Sequence, residues 1–350
     1  MFPFGNKNLI GVDIGAYSVK VVKFRGGKGA FTLEGAACLK LPKEAGAGTA
    51  TTAVTGLIME IIRSQRIGGR FAAAAFPGNA LTMRHIYLPS MPEKDLKEAV
   101  RWEIRKELTF PANELLADYV LAGGAAKTEA NMLSIIAFAA KKSDADDITS
   151  AVKNAGLELR AIESVPTALL AAFNINNIWE DGVNYAMLDI GENRSTLAIL
   201  KDRRLNFVRE ISFGGVDLTV AAAEALNKEA SEAEEYKAAH GMSADAGADG
   251  DKAAKRLSRC VEGLCSELHR SFDYYQAQFR EGAVGKLFLS GGSAQLAGID
   301  GFITTVLGIP SFAYDPFSGV NIPEGFDLTA LGRISPSLTV AAGLSARTGQ

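Results

Sequence analysis

Two copies of the tripeptide Asp-Ile-Gly stand where predicted strands end, at residues 13–15 and 189–191. Their aspartates are separated by about half of the 350-residue chain, as in a duplicated domain. Glycine allows backbone N–H groups to approach phosphate oxygens closely, and strand-end carboxylates can hold a hydrated Mg²⁺ that neutralises phosphate charge. The two turns therefore predict a site for the phosphates of a nucleotide, with Asp13 and Asp189 as ligands of a metal ion.

Residues beside these turns could donate further hydrogen bonds to phosphate. The candidates are Gly15, Ala16, Tyr17, Ser18 and Lys20 at the first turn, and Gly191, Glu192, Asn193, Ser195 and Thr196 at the second. A third turn, Gly291-Gly292-Ser293, also follows a predicted strand and precedes a helix. Taken alone it fits a turn that packs a helix tightly, but three such turns in this order favour a nucleotide site, with the third turn beside the ribose or adenine.

The hydrophobic pattern predicts the elements that position the turns. In the first half it predicts strands at residues 9–14, 19–24 and 31–41, a helix at 49–64 and a strand at 70–76. In the second half it predicts strands at 185–190, 195–201 and 204–212, a helix at 215–226, an exposed loop within 241–251, a helix at 254–281 and a strand at 286–290. The second half repeats the plan of the first, which predicts two related α/β halves with the turns between them.

Residues 89–165 have a different pattern and predict a small α+β unit inserted in the first half. Its helix is predicted to start at a capping box formed by Ser90 and Glu93, and it has one apolar stripe formed by Leu96, Val100, Ile104 and Leu108. Strands are predicted at 117–122 and 131–140, and a second helix at 143–154. Trp102 lies on the polar side of the first helix. It is either an exposed interface residue or part of a second buried face.

The composition limits the class of protein. The formal net charge of −3 and the balance of 37 Lys and Arg against 40 Asp and Glu exclude a dedicated nucleic-acid-binding surface. Three cysteines without a CxxC pair and three scattered histidines argue against a disulfide framework and a zinc site. No apolar stretch reaches the roughly 18 residues of a membrane span, and Asp13 interrupts the first one. We therefore expect a cytoplasmic protein.

The ordered segments GVDIGAYSVK, LDIGENRSTL and LSGGSAQLAGID resemble the phosphate 1, phosphate 2 and adenosine motifs of the actin, sugar kinase and Hsp70 superfamily. Residues 163–173 and 338–347 resemble its two connecting helices. Residues 233–237, followed by Gly241, resemble the AExxK motif of the cell-division protein FtsA. The resemblance implies that Glu234 and Lys237 contact the ribose and adenine. The alternative is that these residues form a solvated charged face of a helix.

Two features narrow the resemblance. Only about ten residues separate the third strand from the first helix, and the extra unit lies at 89–165, where FtsA-like proteins carry theirs. The segment LPSMPEKDLKEAVRWEIRKELTFPANELLADYVL is similar to the PilM family of type IV pilus assembly proteins. This implies an actin-like ATPase fold of the α/β class, with two RNase H-like domains and an FtsA-like insert. The implied subdomains are 1A (1–88, 166–182 and 337–350), 1C (89–165), 2A (183–226 and 285–336) and 2B (227–284).

The resemblance also implies a function. Such proteins are cytoplasmic ATP-binding scaffolds of the type IV pilus inner-membrane assembly complex, with ATP and Mg²⁺ between the two halves. The N-terminal cytoplasmic peptide of PilN is expected in a cleft between the first domain and the insert. Further implied partners are the assembly and retraction motor ATPases, the platform protein PilC and a homo-oligomer or ring. Neither nucleic acid nor direct membrane insertion is expected, so the protein would associate peripherally with the inner membrane through its partners.

The sequence departs from the superfamily where hydrolysis is concerned. Val165 precedes Pro166 at the position where related ATPases have a carboxylate, and Glu163 would point elsewhere. Glu192 and Asn193 replace glycines of the phosphate 2 motif, which narrows the turn and adds a negative charge. Slow or absent ATP hydrolysis is therefore expected. The alternatives are a small-molecule kinase on the same fold, with Asp217 as a base rather than a helix cap, and an FtsA-like filament-forming ATPase.

Trp102 gives a hint of partner binding from the residues alone. An exposed tryptophan is unusual and is enriched at interfaces. If it contacts the partner, Trp102→Ala is expected to weaken binding of the partner peptide without unfolding the protein.

Overall fold

The computed structural model describes residues 9–27, 30–42, 50–123, 131–243, 247–279 and 281–347. The strands are β1 (Ile10–Ile14), β2 (Ser18–Gly27), β3 (Ala30–Lys40), β4 (Phe71–Ala75), β5 (Leu81–Pro89), β6 (Leu115–Leu121), β7 (Met132–Lys141), β8 (Glu158–Glu163), β9 (Asn184–Ile190), β10 (Ser195–Lys201), β11 (Arg204–Ile211), β12 (Val284–Ser290), β13 (Ser311–Ala313) and β14 (Val320–Asn321). The helices are α1 (Ala50–Ser64), α2 (Glu93–Arg105), α3 (Lys142–Asn154), α4 (Val165–Asn176), α5 (Gly215–Leu226), α6 (Ala230–His240), α7 (Gly247–Phe279), α8 (Ile299–Leu307), α9 (Leu328–Ile334) and α10 (Thr339–Ala346). Thr49, the predicted first residue of α1, lies outside the described residues.

Two large sheets repeat one plan, which confirms the predicted duplication. The first has the strand order β14-β3-β2-β1-β4-β8, and the second has the order β11-β10-β9-β12-β13. In each sheet three consecutive strands pair antiparallel. The first strand of each trio then pairs parallel with a later strand, β4 or β12. Both Asp-Ile-Gly motifs lie at the end of the first strand of a trio, so the two halves present equivalent strand ends.

The inserted unit has different bounds from those predicted. Its three-stranded sheet has the order β5-β7-β6 and therefore starts at Leu81, in a strand that the sequence analysis did not predict. β8 lies inside the predicted insert, but it pairs with β4 in the first large sheet. The small sheet is thus built from segments between residues 81 and 141 rather than 89 and 165. Hydrophobic alternation predicts a strand, but it does not tell which sheet the strand joins.

The start of α2 also differs from the prediction. The residue before the first helical turn is Pro92, and no side chain caps the helix, so the predicted capping box of Ser90 and Glu93 is wrong. Proline holds the preceding residue in an extended conformation, which prevents a helix from starting earlier. α2 ends at Arg105, so Leu108 lies beyond the helix, although it still packs against the core of the insert.

Two further boundaries differ in the second half. The predicted loop at 241–251 is partly wrong because α7 begins at Gly247 and Gly250 is buried; residues 244–246 lie outside the described part. Acidic residues in its sequence at 249 and 251 favour a helix start there. α7 ends at Phe279, before the predicted end at 281. Near the C-terminus, β14 pairs with β3 of the first sheet, although residues up to 336 were assigned to subdomain 2A.

A continuous core joins the two halves. The largest cluster of buried side chains contains residues of the first sheet, such as Ile10, and of the second, such as Tyr185. Phe173 of α4 lies between them, fully buried, with its ring 5.0 Å from that of Tyr185 and 5.6 Å from that of Phe288. A separate cluster lies under α7 and a third fills the insert. The strand ends of the two halves are therefore held in a fixed relation by α4.

Candidate functional site

The first strand end carries a buried ion pair. Asp13 and Lys20 are cross-strand neighbours on β1 and β2, and Lys20 Nζ lies 3.0 Å from Asp13 Oδ2. Both side chains are less than 15% exposed. Burial alone would lower the pKa of Lys20, but the charge and hydrogen bond of Asp13 raise it above its ordinary value. Lys20 is therefore a permanent cation at this strand end.

The second strand end faces the first. Asp189 Oδ1 accepts a hydrogen bond from Ser290 Oγ at 3.0 Å. Burial and the nearby charge of Asp13 raise the pKa of Asp189 to about 6, against the lowering effects of Lys20 and Ser290. Asp13, Lys20 and Asp189 thus form one charge cluster between the sheets, with two carboxylates and a single ammonium. The cluster is short of positive charge, which fits a site for a cation.

This donor set is suited to Mg²⁺. The described residues contain no group of three or more His, Cys, Asp or Glu side chains arranged to hold a metal. Mg²⁺ keeps several waters and is usually bound by one or two carboxylates together with substrate phosphates, rather than by a complete protein cage. Two aspartates beside turns that are predicted to bind phosphate match that requirement.

The two glycine turns have the same backbone geometry. Gly15 N–H donates to Ser18 O, and Gly191 N–H donates to Arg194 O, both at 3.0 Å. A Cβ at Gly15 would lie 2.7 Å from Lys20 Nζ, the flexible end of that side chain, whereas a Cβ at Gly191 would lie 2.9 Å from the backbone oxygen of Arg194. The steric reason for glycine is therefore stronger at Gly191.

The third turn lies against the second strand end. Gly291 has a positive φ of 88°, and a Cβ there would lie 2.5 Å from Ile190 O. A Cβ at Gly292 would meet nothing within 4 Å. Ser293 approaches α5, because a Cβ at Gly215 would lie 2.8 Å from Ser293 Oγ. The turn therefore combines close packing at its first glycine with open space at its second, as a ligand would require.

Glu234 and Lys237 form an ion pair of a half-buried carboxylate and a buried ammonium rather than a solvated face. Lys237 is 7% exposed, and its Nζ lies 2.6 Å from Glu234 Oε2. It also donates to Thr219 Oγ1 at 2.8 Å and to Gly215 O at 3.3 Å. Burial opposes ionisation of Glu234, but its hydrogen bonds from Lys237 and Thr219 lower its pKa overall. The pair lies next to Gly215, which Ser293 also approaches.

Lys40 is a residue of this cleft that sequence analysis missed. Its Nζ lies 5.1 Å from the centre of the Tyr17 ring, and a hydrogen bond to Tyr17 raises its pKa. The charge of Glu234, in the other half, acts on it as well. Lys40 belongs to no motif, and it reaches the cleft because β3 runs beside β2 and places it opposite Ser18.

Some predicted donors are not available to a ligand. Ser195 is fully buried, and its hydroxyl donates to Phe213 O at 2.7 Å, so its hydroxyl proton is already bound within the protein. Ser18 and Thr196 are buried, whereas Ala16 and Asn193 are exposed beside the turns. Glu192 is half-buried, and its Oε2 lies 3.0 Å from where a Gly215 Cβ would stand. Burial raises the pKa of Glu192, and Lys237 opposes this shift.

Two carboxylates considered for catalysis have structural partners. Asp217 Oδ2 accepts a hydrogen bond from Gly214 N–H at 2.8 Å and so caps α5. Glu163 accepts from Thr167 Oγ1 at 2.9 Å and pairs with Arg347 Nε at 2.6 Å. Val165 is the first residue of α4 and is buried.

A second cleft, of about 320 Å³, lies between the first sheet and the insert. It is lined mostly by apolar side chains, with a few polar groups at one side: Phe76, Leu81, Leu116, Ala117, Asp118, Tyr119, Val120, Phe138, Ala140, Ala145, Ile162, Glu163, Ser164 and Thr167. β6 forms one wall and is an edge strand of the small sheet, so one side of its backbone has no partner strand among the residues that the structure describes. An apolar cleft beside a free strand edge is suited to an extended peptide.

Trp102 is 64% exposed, so it does not fill a second buried face. It does not line the cleft either. α2 packs with Ile135 and Ala137 of β7, whereas the alternate residue Phe138 lines the cleft. Because successive side chains of a strand point to opposite faces, α2 covers the face of the sheet opposite to the cleft. The geometry gives no support to a contact between Trp102 and a peptide in the cleft.

No helix within the described ranges has the length and apolar character needed to traverse a lipid bilayer.

Residues 11–349 match the family model described as Type IV pilus assembly protein PilM. The chain is also similar to the structure titled PilM-PilN type IV pilus biogenesis complex, with a TM-score of 0.85 and 24% identity, over 98% of this chain and 100% of that one. Two more distant structures share less sequence with the chain. EutJ, an ethanolamine utilization protein from Carboxydothermus hydrogenoformans, has a TM-score of 0.57 and 16% identity over 99% of this chain and 91% of that one. MreB5 of Spiroplasma citri bound to ADP has a TM-score of 0.52 and 11% identity over 96% of this chain and 94% of that one. These structural matches show a shared actin-like ATPase fold.

Proposed function

The chain belongs to the type IV pilus assembly protein PilM family, and we propose that it is an ATP-binding scaffold that holds the N-terminal cytoplasmic peptide of PilN. The observation that carries the proposal is the presence of two separate sites: a charged cleft between the halves and an apolar cleft beside the insert. Contacts with the motor ATPases and PilC, assembly into a homo-oligomer or ring, and a peripheral position at the inner membrane through these partners belong to the same proposal.

The charged cleft has groups suited to each part of Mg·ATP. Asp13 and Asp189 would hold the metal, whose charge neutralises the phosphates. The backbones of the two Asp-Ile-Gly turns, with Ala16, Tyr17, Asn193 and the Lys20 ammonium, would bind the phosphates. Glu192, Glu234, Lys237 and the turn Gly291-Gly292-Ser293 would surround the nucleoside.

Slow hydrolysis belongs to the same proposal. Glu163, the carboxylate nearest to Val165 and Pro166, is occupied by Thr167 and Arg347, so it is not free to orient an attacking water. We expect single-turnover ATP hydrolysis below about 0.01 s⁻¹, well under the roughly 1–100 s⁻¹ of kinases. Asp217, on α5, is occupied as a helix cap, which does not favour the small-molecule kinase. Rapid turnover that is lost in Asp189→Ala would contradict this part.

Peptide binding can be tested with two leucines of β6. Leu116 lines the cleft and is 39% exposed, whereas Leu121, on the same strand, is 51% exposed and does not line it. In calorimetric titrations with a PilN N-terminal peptide, Leu116→Lys is expected to weaken binding at least about 10-fold, because it places a charge against apolar walls. Leu121→Lys is the matched control and should bind like the wild type, as should Trp102→Ala. Equal loss in both leucine variants would argue against this cleft.

A further inference from the structure

Arg194 lies in the turn that follows the second Asp-Ile-Gly motif, here called the second phosphate turn. Its side chain pairs with a residue near the apolar cleft between the first sheet and the insert, here called the peptide cleft. Its carbonyl completes the turn by accepting from Gly191 N–H. Its guanidinium Nη1 lies 3.7 Å from Glu210 Oε2 on β11 and is nearly half exposed. The guanidinium is thus loosely held, and it belongs to the same four-residue turn that would receive phosphate.

Glu210 lies at the contact between the two halves of the molecule. Its Oε1 is buried and has no hydrogen-bond partner among the described residues. It faces Gly78 of the first half, where a Cβ would stand 3.7 Å away. Burial raises the pKa of Glu210, and the charges of Arg194 and then of Arg84 oppose that shift. Two cations therefore act on Glu210: Arg194 of the turn, which pairs with it, and Arg84 of the insert, whose Nε also lies 3.3 Å from Glu107 Oε2.

The segment that Glu210 faces forms part of the peptide cleft. Gly78 lies in a short 3₁₀ turn between β4 and β5, and the residues on either side of this turn, Phe76 and Leu81, both line the cleft. Arg84 follows on β5, which packs against β11. A displacement at Glu210 would thus be passed to the cleft wall through a few residues of continuous chain.

We propose that Arg194 is exchanged between Glu210 and the phosphates of a bound nucleotide, and that this exchange couples nucleotide binding to peptide binding. Guanidinium groups bind phosphate strongly and in a bidentate manner, so phosphate competes with Glu210 for Arg194. When Arg194 leaves, Arg84 is the remaining cation among the described residues whose charge acts on the half-buried carboxylate, and the attraction between Glu210 and the insert increases. The Gly78 turn and its flanking residues Phe76 and Leu81 then shift relative to the cleft. The inference rests on the proposed function, because it requires both ligands.

The test measures the dissociation constant of a PilN N-terminal peptide with and without saturating Mg·ATP. Coupling of this kind is typically 5- to 150-fold, so the wild-type constants are expected to differ at least about 5-fold. By reciprocity, the peptide should change the dissociation constant of ATP by the same factor. For each ligand, the ratio of interest is its dissociation constant without the other ligand divided by that with the other ligand. In Glu210→Gln this ratio should fall to about one for the peptide and for ATP, because the carboxylate that competes for Arg194 is gone. Arg84→Met gives a second variant, on the insert side, should Glu210→Gln fold poorly.

The matched control is Glu224→Gln. Glu224 also pairs with an arginine, Arg256, but on the exposed surface of the second half, and it should keep the wild-type ratio. The inference is overturned if the wild type binds both ligands but neither ligand changes the dissociation constant of the other. It is also overturned if Glu210→Gln and Arg84→Met keep the wild-type ratio of dissociation constants. Failure of the wild type to bind ATP or the peptide at all would overturn the proposed function, and the inference with it.

Discussion

At the scale of single residues, Asp189 is a proposed metal ligand whose burial has a cost in stability. Its pKa is raised to about 6 by burial and by Asp13, whereas an unfolded aspartate titrates near 3.9. Between about pH 4 and pH 6 the carboxyl group of Asp189 therefore binds more proton in the folded protein than in the unfolded chain, so its contribution to the free energy of unfolding falls as the pH rises through this window. Above pH 6 the ionised Asp189 costs the ligand-free protein about 3 kcal/mol.

We predict that Asp189→Asn makes the ligand-free protein more stable while abolishing Mg·ATP binding. Urea unfolding at pH 7.5 should show a gain of about 1–3 kcal/mol, shrinking towards zero at pH 4 because the wild-type carboxyl is then protonated in both states. Fluorescent ATP titration should show a loss of at least about 100-fold.

The control for this prediction is Asp202→Asn. Asp202 lies in an exposed turn with a φ of 49°, which asparagine also tolerates, and this variant should change neither measurement. Wild-type affinity for Mg·ATP in Asp189→Asn would contradict the assignment of Asp189 as a metal ligand.

The residues that could be identified from the sequence belong to local motifs, whereas those that were missed are defined by contacts between segments far apart in the chain. Asp13 and Asp189 belong to a local motif that occurs twice, and the fold brings them together because the halves are duplicated. Glu210 and Gly78 belong to no motif. They meet only because β5 packs against β11, a contact that local spacing does not encode. Ser195 was predicted as a ligand contact from its position, but the conformation of the chain at Phe213 determines the direction of its hydroxyl.

At the scale of elements, most helices and strands could be predicted, and their sheet membership could not. The three antiparallel strands of each half follow from short apolar runs joined by turns. β8 joins β4, and β14 of two residues joins β3, through pairings between distant segments of the chain. The sequence patterns of these strands are compatible with more than one neighbour. The predicted insert therefore lacked β5 at its start and wrongly included β8 at its end.

The contact between α4 and α10 depends on a glycine. A Cβ at Gly343 would lie 1.9 Å from Ala168 O, so the helices can approach only with glycine there. In an open helical position, alanine is more favourable than glycine by about 1 kcal/mol. Gly263, within α7, is such a position, with nothing within 4 Å of a Cβ.

We predict opposite effects for the same substitution at these two sites. Gly343→Ala should destabilise the protein by about 1–3 kcal/mol, because the helices must separate. Gly263→Ala should stabilise it by up to about 1 kcal/mol. Both values can be measured by chemical denaturation at pH 7.5. A gain in stability for Gly343→Ala would mean that α4 and α10 are less closely packed than described.

At the scale of the whole molecule, the halves share a core, whereas the two proposed ligand sites are separate clefts. Phe173 is fully buried and its ring lies 4.7 Å from that of Trp179 and 5.0 Å from that of Tyr185. α4, which carries it, also forms the wall of the peptide cleft through Thr167. The element that joins the halves is therefore also part of the wall of this cleft, so a movement between the halves would be expected to reach it.

The shared core predicts that both halves lose stability together when it is damaged. Phe173→Ala should cost about 3–5 kcal/mol, and native-state hydrogen exchange should show the same loss for amides of β1 in the first half and β9 in the second. Phe312→Ala is the matched aromatic control, since Phe312 is 47% exposed on the edge strand β13, and it should cost less than about 1 kcal/mol. If β9 kept its wild-type protection while β1 lost it, the halves would be independent folding units, and α4 could not transmit movement between them.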